Sequence, residues 1–459
     1  MPLHHGLRAA AGASPADPYF SSTSLLLLGN GTNGGQNNTF VDNSTNNFTI
    51  TRNGNTTQGS FSPFTGAGGS GYFDGSGDYL AAPANSALSF GTGDFTLECW
   101  VYATSTPSDV GIYEGRTDGN GPTENGFTLT AYSSSVIRIY SNGILIASSG
   151  TTYVNTWCHV AVVRSSGTWN LYINGTSQGT SAASRNMTNN DAVVGGGRYG
   201  ASSSVTTSFP GYISNFRITK SVVYTSTFTP PTSPLTAITN TSVLLNFTNA
   251  SILDSTAKND LGTVGDAQIS TSVKKFGTGS MAFDGTGDYL SIPNSSLFDI
   301  GAGDFTIECW VNFIAIPSST NASTFASQWR TSSLNLGWFF YLYNISGTCG
   351  IYFSYSTTGT NQFDHSVNLP SNPSIGTWYH YAVCRSGSNL RFFVDGTQIG
   401  STQTLSATIF NSVAPIWIAA QNNGSPNYQL NGYLDDFRLT KYARYTNNFT
   451  PPTSQLPAR

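Results

Sequence analysis

The residues able to do chemistry in this sequence come in matched pairs. Aspartates stand at Asp42 and Asp254, at Asp74 and Asp284, and at Asp78 and Asp288, each pair at equivalent places in two similar stretches. A further pair, Asp435 and Asp436, has only Ser214 and Asn215 as counterparts. Carboxylates in Asp-Gly and Gly-x-Gly-Asp sequences ordinarily accept hydrogen bonds from the backbone of their own turn. Glu98 and Glu308 are single carboxylates, whereas a retaining glycosidase needs two carboxyls about 5–5.5 Å apart. His159 and His380 lack clustered partners, so they read as strand histidines and not as bases or metal ligands. Trp100 and Trp310 fall on the face opposite the apolar positions of their strands, where an aromatic either stacks on a sugar ring or completes an interface. The densest aromatic stretch, Trp338–Ser356, carries Trp338, Phe339, Phe340, Tyr341, Tyr343, Tyr352, Phe353 and Tyr355. Alternation sends some of these to a core and others outward; Trp338, Tyr341, Tyr343, Tyr352 and Tyr355, with Trp100 and Trp310, are the expected contacts, as a stacking platform for a glycan or a patch for another protein chain.

The elements that must position these residues are strands. Phe95, Leu97, Cys99 and Val101 alternate with polar or outward residues, and Phe305, Ile307, Cys309 and Val311 repeat the pattern, which is the period of a half-buried strand. Asn174-Gly175 and Asp395-Gly396 lie between apolar runs and predict two-residue type I′ hairpins. No stretch has helical periodicity with caps.

The pairs arise because the chain is duplicated. Phe73–Trp100 recurs at Phe283–Trp310, an offset of 210, and Gly211–Pro231 recurs at Gly432–Pro452, an offset of 221. Trp157 and Trp378 share the larger offset, so eleven residues were gained between Trp310 and Trp378, in the aromatic-rich stretch. A period this long means tandem domains and not a solenoid. Pro230, Pro231 and Pro234 end the first copy. The boundaries read as an N-terminal arm over 1–20, a first β-sandwich over 21–235 and a second over 236–459.

Only 9% of the 459 residues are charged, Gly numbers 49 and the net charge is −4 without a basic cluster. That composition suits an all-β surface protein and gives no electrostatic footprint for nucleic acid. No apolar run is long enough for a membrane span or a secretory signal. Five cysteines at spacings that match no zinc ribbon read as buried free thiols, made in a reducing compartment.

The order of pieces, a Leu-rich opening strand, FDGxGDYL, GDFTxECWV, W-x-H-x-A-V, an ING or VDG hairpin and a closing GYxxxFRxTK, occurs twice and resembles the laminin G-like, concanavalin A-like lectin/glucanase jelly roll. That resemblance implies two tandem antiparallel sandwiches. Hydrolases of this class carry E-x-D-x-E on one strand, a triplet missing here, so the resemblance implies a binding protein and not an enzyme. Some members hold calcium at the sandwich rim; the matching oxygen donors here are Asp42, Asp74, Asp78, Asp254, Asp284, Asp288, Asp435 and Asp436. No cofactor is required otherwise.

The opening, Asp17-Pro18-Tyr19-Phe20-Ser21-Ser22 with the Leu-rich run and VDNSTNNFTIT behind it, is similar to virion proteins of tailed phages, particularly marine and cyanobacterial ones. This resemblance implies a tail-fibre, head-fibre or capsid-decoration protein. Such a protein is made in the host cytoplasm, is homo-oligomeric, docks on other virion proteins through an arm that includes Pro18, Tyr19 and Phe20, and faces host-surface glycans. The alternative is a free or cell-surface bacterial lectin acting outside the cell; a glycoside hydrolase ranks behind both.

Overall fold

The computed structural model describes residues 17–64, 68–117, 125–141, 144–147, 153–183, 185–199, 203–247, 250–253, 255, 259 and 261–457. The fold is all-β, with three short 3₁₀ turns among the described residues and antiparallel ladders everywhere except one bridge pair in each unit. No helix among them is long and apolar enough to cross a membrane.

Two compact units form, each a sandwich of two sheets, and they do not follow the boundaries at 20 and 235. Unit 1 is Asn38–Ala250; unit 2 is Ser251–Arg459 together with the described residues 17–37. The cause is strand pairing. The Leu-rich strand Thr23–Leu27 pairs with the closing strand of the second copy, Leu25 opposite Leu439 and Leu27 opposite Phe437. Its counterpart Thr241–Leu245 pairs with the closing strand of the first copy, Ile218 opposite Val243 and Phe216 opposite Leu245. TSLLL and TSVLL present the same pattern of apolar side chains, so either satisfies either ladder. Residues 17–20 are accordingly part of unit 2, and the first sixteen lie outside the described residues.

In unit 1 one sheet runs, edge to edge, Thr176–Ala182, Thr168–Ile173, Cys158–Ser165, Phe95–Ala103, Pro210–Thr219, Ser70–Asp74 and Thr57–Gly59, with Thr241–Leu245 also on Pro210–Thr219. It carries Glu98 and is called here the glutamate sheet. The facing sheet runs Ile144–Ala147, Val136–Ser141, Thr128–Ser133, Val110–Glu114, Ala192–Val194, Tyr79–Ala82 and Thr51–Asn53. Unit 2 repeats this order. Its glutamate sheet is centred on Phe305–Ala315, and its facing sheet runs Gly262–Val264, Tyr289–Ile292, Ile416–Ile418, Asn321–Arg330, Asn335–Ile345, Thr348–Tyr355 and Phe363–Asn368.

The cores follow the alternation. Phe95, Leu97, Cys99 and Val101 are fully buried in the unit 1 cluster, and Phe305, Ile307, Cys309 and Val311 in that of unit 2. All five cysteines are buried and unpaired, and burial pushes the Cys99 thiol far above its ordinary value. Both predicted hairpins are present: Asn174 and Gly175 have φ of 47° and 77°, Asp395 and Gly396 47° and 75°, the left-handed values a type I′ turn needs. These glycines serve a second purpose. A Cβ on Gly175 would collide with the Phe228 carbonyl and one on Gly396 with that of Phe449, because the segment after each closing strand folds over the hairpin.

That segment alters the simple sandwich. Val222, Tyr224 and Phe228 cover Ala161, Val163 and Tyr172 on the outer face of the unit 1 glutamate sheet, and Ala443, Tyr445 and Phe449 cover the matching face of unit 2. Each tyrosine stacks on its phenylalanine at 3.6 Å. A strand expected to show one face to water is therefore buried on both.

Candidate functional site

Under the closing segments lies a charged network, repeated in both units. Glu98 is fully buried and accepts from Arg217 Nε and Nη2 at 3.0 and 2.5 Å and from the Tyr224 hydroxyl at 2.6 Å, with His159 Nε2 at 3.3 Å. Glu308 repeats this with Arg438 Nε and Nη2 at 2.9 and 2.7 Å, Tyr445 at 2.7 Å and His380 Nε2 at 3.1 Å. Burial alone would raise both carboxyls, but His159 and Arg217 around Glu98, and Arg438 and His380 around Glu308, hold them below the ordinary range. A carboxylate so enclosed by donors holds sheet and tail together. The arginine and tyrosine were legible as recurring letters in FRxTK and the segment behind it.

Unit 2 enlarges the network. The Asp17 carboxylate accepts from Arg438 Nη1 at 3.0 Å and from Arg444 Nη1 and Nη2 at 3.1 and 2.6 Å, where unit 1 has Val223 in place of Arg444 and the Thr236 carbonyl as the partner of Arg217 Nη1. Tyr19 stacks on Tyr442 at 4.1 Å, and Phe20 packs beside Leu26, Leu28 and Leu456. Two of the three residues expected in a docking arm are thus committed to unit 2; Pro18 is exposed.

The aspartates serve turns and strand ends. Asp78 accepts from the Asn55 and Asp74 amides at 2.7 and 2.9 Å, and Asp288 from those of Asp266 and Asp284 at 2.5 and 2.9 Å. Asp74 and Asp284 each cap the amide two residues on, at 2.7 and 2.6 Å. Asp42 takes the amides of Ser44, Phe48 and Leu244 and the Ser44 hydroxyl, all within 3.0 Å. Asp435 accepts from the Lys275, Phe276 and Asp436 amides, and Asp436 from the Leu456 amide at 2.8 Å. Burial pushes Asp78 up to about 6 and Asp435 up to about 7, and burial beside Asp435 raises Asp436 well above the carboxylate range. Asp254 lies outside the described residues. Among the described residues no three His, Cys, Asp or Glu side chains converge on a point.

The tryptophans on the outward face pack against neighbouring aromatics. Phe64 stands edge-on to Trp100 at 5.9 Å; Trp310 is 6% exposed, with Lys275 Nζ 3.9 Å above its ring and Phe276 edge-on at 5.8 Å. Trp310 therefore offers no bare ring face, while Trp100 stays half-buried.

The aromatic-rich strands divide as alternation requires. Trp338 and Tyr355, expected among the contact residues, instead join the unit 2 core with Phe340, Ile351 and Phe353, because they alternate in step with these inward residues. Phe339, Tyr341, Tyr343 and Tyr352 lie on the other face of the facing sheet, in a separate cluster with Trp329, Leu336 and Tyr428. Phe339 and Tyr341 stack at 3.9 Å, Tyr341 and Tyr352 at 5.3 Å, and Tyr343 meets Tyr352 edge-on at 5.4 Å. Tyr343, Tyr352 and Tyr428 stay half-buried, so their rings reach solvent. Polar groups border the strip. Ser354 Oγ lies 3.0 Å from the Tyr341 hydroxyl and donates to the exposed Asp364 at 2.6 Å, and Gln362 Nε2 donates to the same carboxylate at 2.9 Å. Tyr428 and Asp364 come from segments that carry no repeat or motif. The platform exists because these strands are long: Asn321–Arg330, Asn335–Ile345 and Thr348–Tyr355 have 10, 11 and 8 residues, against 5, 6 and 6 for Val110–Glu114, Thr128–Ser133 and Val136–Ser141.

No curated protein matches the chain. Among solved structures it is similar to the binding domain of Paraclostridial Mosquitocidal Protein 1, at 16% identity and a TM-score of 0.33, over 42% of this chain and 47% of that one, about half its length. It is similar to domains LG4-5 of the mouse laminin alpha1 chain, at 13% identity and a TM-score of 0.28, over 83% of this chain and 94% of that one. A third likeness is to domain 4 of AbnA, a GH43 extracellular arabinanase from Geobacillus stearothermophilus, in complex with arabinotriose, at 13% identity and a TM-score of 0.31, over 43% and 86% of the two chains. Residues 74–226 and 284–447 match the family described as the concanavalin A-like lectin/glucanases superfamily, one match in each unit. With more than half of its length inside those two matches, the chain belongs to the concanavalin A-like lectin/glucanases superfamily.

Proposed function

We propose that the protein is a non-enzymatic adhesion protein of a virion surface, and that the outer aromatic strip of unit 2 is its contact for a host-surface glycan. The strip carries this reading: half-buried tyrosine rings next to a serine, a glutamine and an exposed carboxylate match a sugar, whose ring faces are apolar and whose edges are hydroxyls. Glu98 and Glu308 are enclosed in buried ion pairs, which supports a role without turnover. The bonds that the described turn aspartates accept from backbone amides support a turn role for them without calcium.

The virion assignment rests on the likeness of the opening segment to tailed-phage virion proteins, with docking left to residues 1–16. The test is binding of the full chain to an array of neutral and acidic glycans. Wild type is expected to bind, and Tyr352→Ala to lose at least tenfold in affinity with an unchanged melting temperature. Silence on every glycan, or full binding by Tyr352→Ala, overturns the reading.

A further inference from the structure

The facing sheet of unit 1 holds a cavity of about 440 Å³, within the range of roughly 300–1,000 Å³ of small-ligand sites. Its lining includes Asn53, Tyr79, Asp191, Val193, Arg198 and Ser203. Unit 2 shows why it is open. In unit 1 the strand Ala192–Val194 pairs with Tyr79–Ala82, placing Val193 opposite Ala81; in unit 2 Ile416–Ile418 pairs with Tyr289–Ile292, placing Trp417 opposite Ser291. Val193 therefore stands where Trp417 stands, and Tyr79 where Tyr289 stands. In unit 2 the indole lies flat on the Tyr289 ring at 4.0 Å. In unit 1 the smaller Val193, itself only 2% exposed, puts no ring on Tyr79, and Tyr79 lines the cavity.

Two further differences accompany the first. In the shared register, Asp191 and Arg198 of unit 1 take the places of Pro415 and Asn422, the match being anchored by Gly195 and Ala419, with φ of 76° and 70°. The unit that fills the space with its own ring thus lacks the charged pair, and the unit that leaves it open has one. The pair is built in. Arg198 Nη2 donates to Asp191 Oδ2 at 2.5 Å and its Nε to the Ser203 carbonyl at 2.8 Å. The Arg198 amide donates to the buried Glu114 at 3.0 Å, and Glu114 is clamped in turn by Arg116 at 2.7 and 2.8 Å. Such a rim loses little freedom when a ligand arrives. Among the described residues Asp191 uses one carboxylate oxygen, and because acid and guanidinium neutralise one another the cavity suits an uncharged ligand.

We propose that this cavity is a second saccharide site, taking one uncharged pyranose ring stacked on Tyr79 in the place of the missing indole, with ring hydroxyls donating to Asp191 and accepting from Arg198. It stands apart from the unit 2 strip in position and in residues. The test is saturation-transfer NMR on the full chain with the methyl glycosides of glucose, galactose, mannose and N-acetylglucosamine, and with glucuronic acid as charged comparator.

At least one neutral glycoside is expected to bind wild type and to lose at least tenfold in Val193→Trp, which fills the cavity as unit 2 fills its own. Asp191→Asn, a rim change that leaves the core intact, is expected to weaken the same probe severalfold, and Tyr352→Ala to leave it bound. The proposal is overturned if no neutral glycoside binds, if glucuronic acid binds better than all of them, or if binding survives both Val193→Trp and Asp191→Asn. Loss in Tyr352→Ala alone would assign all binding to the strip and likewise overturn it.

Discussion

The two glutamate sheets are nearly the same object built twice, whereas the two facing sheets differ in strand length, in outer surface and in the space each encloses. Glu98 and Glu308, His159 and His380, Arg217 and Arg438, Tyr224 and Tyr445 all coincide, and so do the hairpin tips beneath the closing segments. The physical reason is that a covered face with paired charges tolerates no missing partner, while a face turned to solvent answers only to solubility and to whatever binds it. Divergence between the copies therefore points to function, and coincidence to support.

The largest expected effect tests which opening strand belongs to which unit. Leu27 lies in the unit 2 core and Leu245 in that of unit 1, so Leu27→Asp and Leu245→Asp each bury an unpaired charge at a cost on the order of 5 kcal/mol. Calorimetry should show the first change lowering the unit 2 transition and the second that of unit 1; the opposite assignment would refute the strand exchange.

Next comes pH. Asp435, with a carboxyl raised from 3.8 to about 7, keeps its proton in the fold long after the unfolded chain has released it, so its protonation supports unit 2 fully below about pH 4 and that support is lost as pH rises to about 7. Asp436 adds to this, Arg438 opposes it, and Glu308 lies nearby. Asp78 and Asp288 impose a like slope on both units, with Asp78 reaching about 6, so the window that separates the units is about pH 6 to 7. Asp435→Ser with Asp436→Asn copies unit 1. It should raise the unit 2 midpoint at pH 8 by the equivalent of up to about 4 kcal/mol and leave it unchanged at pH 4. An equal gain at both pH values would show that titration is not the cause.

The smallest effect compares the arginines. Arg217→Ala leaves Glu98 with His159 and no guanidinium, while Arg438→Ala leaves Glu308 with His380 and with Arg444 Nε at 3.9 Å. The unit 1 transition should fall further, by about 1–2 kcal/mol out of a loss of about 3–5 kcal/mol. Equal falls would remove Arg444 from the network.

Much of this was legible because strand physics is local. The recurring FDGxGDYL and ECWV motifs, the alternation through Cys99 and Cys309, and the Asn-Gly and Asp-Gly tips led to two sandwiches, and alternation led to a division of the aromatic-rich strands into inward and outward rings, but not to the inward places of Trp338 and Tyr355. What escaped depends on partners far apart in the chain. A strand's alternation does not reveal that a later segment will bury its second face, which turns Glu98 from a surface residue into a buried ion. Thr23–Leu27 and Thr241–Leu245 carry the same pattern, so periodicity cannot choose between their ladders. The contrast of Val193 with Trp417 appears only once each is known to lie beside a particular tyrosine.

The exchange of opening strands also sets a timetable. During synthesis unit 1 can close as soon as residue 245 is available, but the apolar strand Thr23–Leu27 must wait for its partner at Phe437–Thr440. At about 5–20 residues per second that interval is roughly 20–80 s. Throughout it Leu25–Leu28 is an unpaired hydrophobic edge, the kind of segment that chaperones hold and that neighbouring nascent chains can capture. The ladder that completes unit 2 is thus the longest-range strand pairing among the described residues, and it can form only once the closing strand has been made.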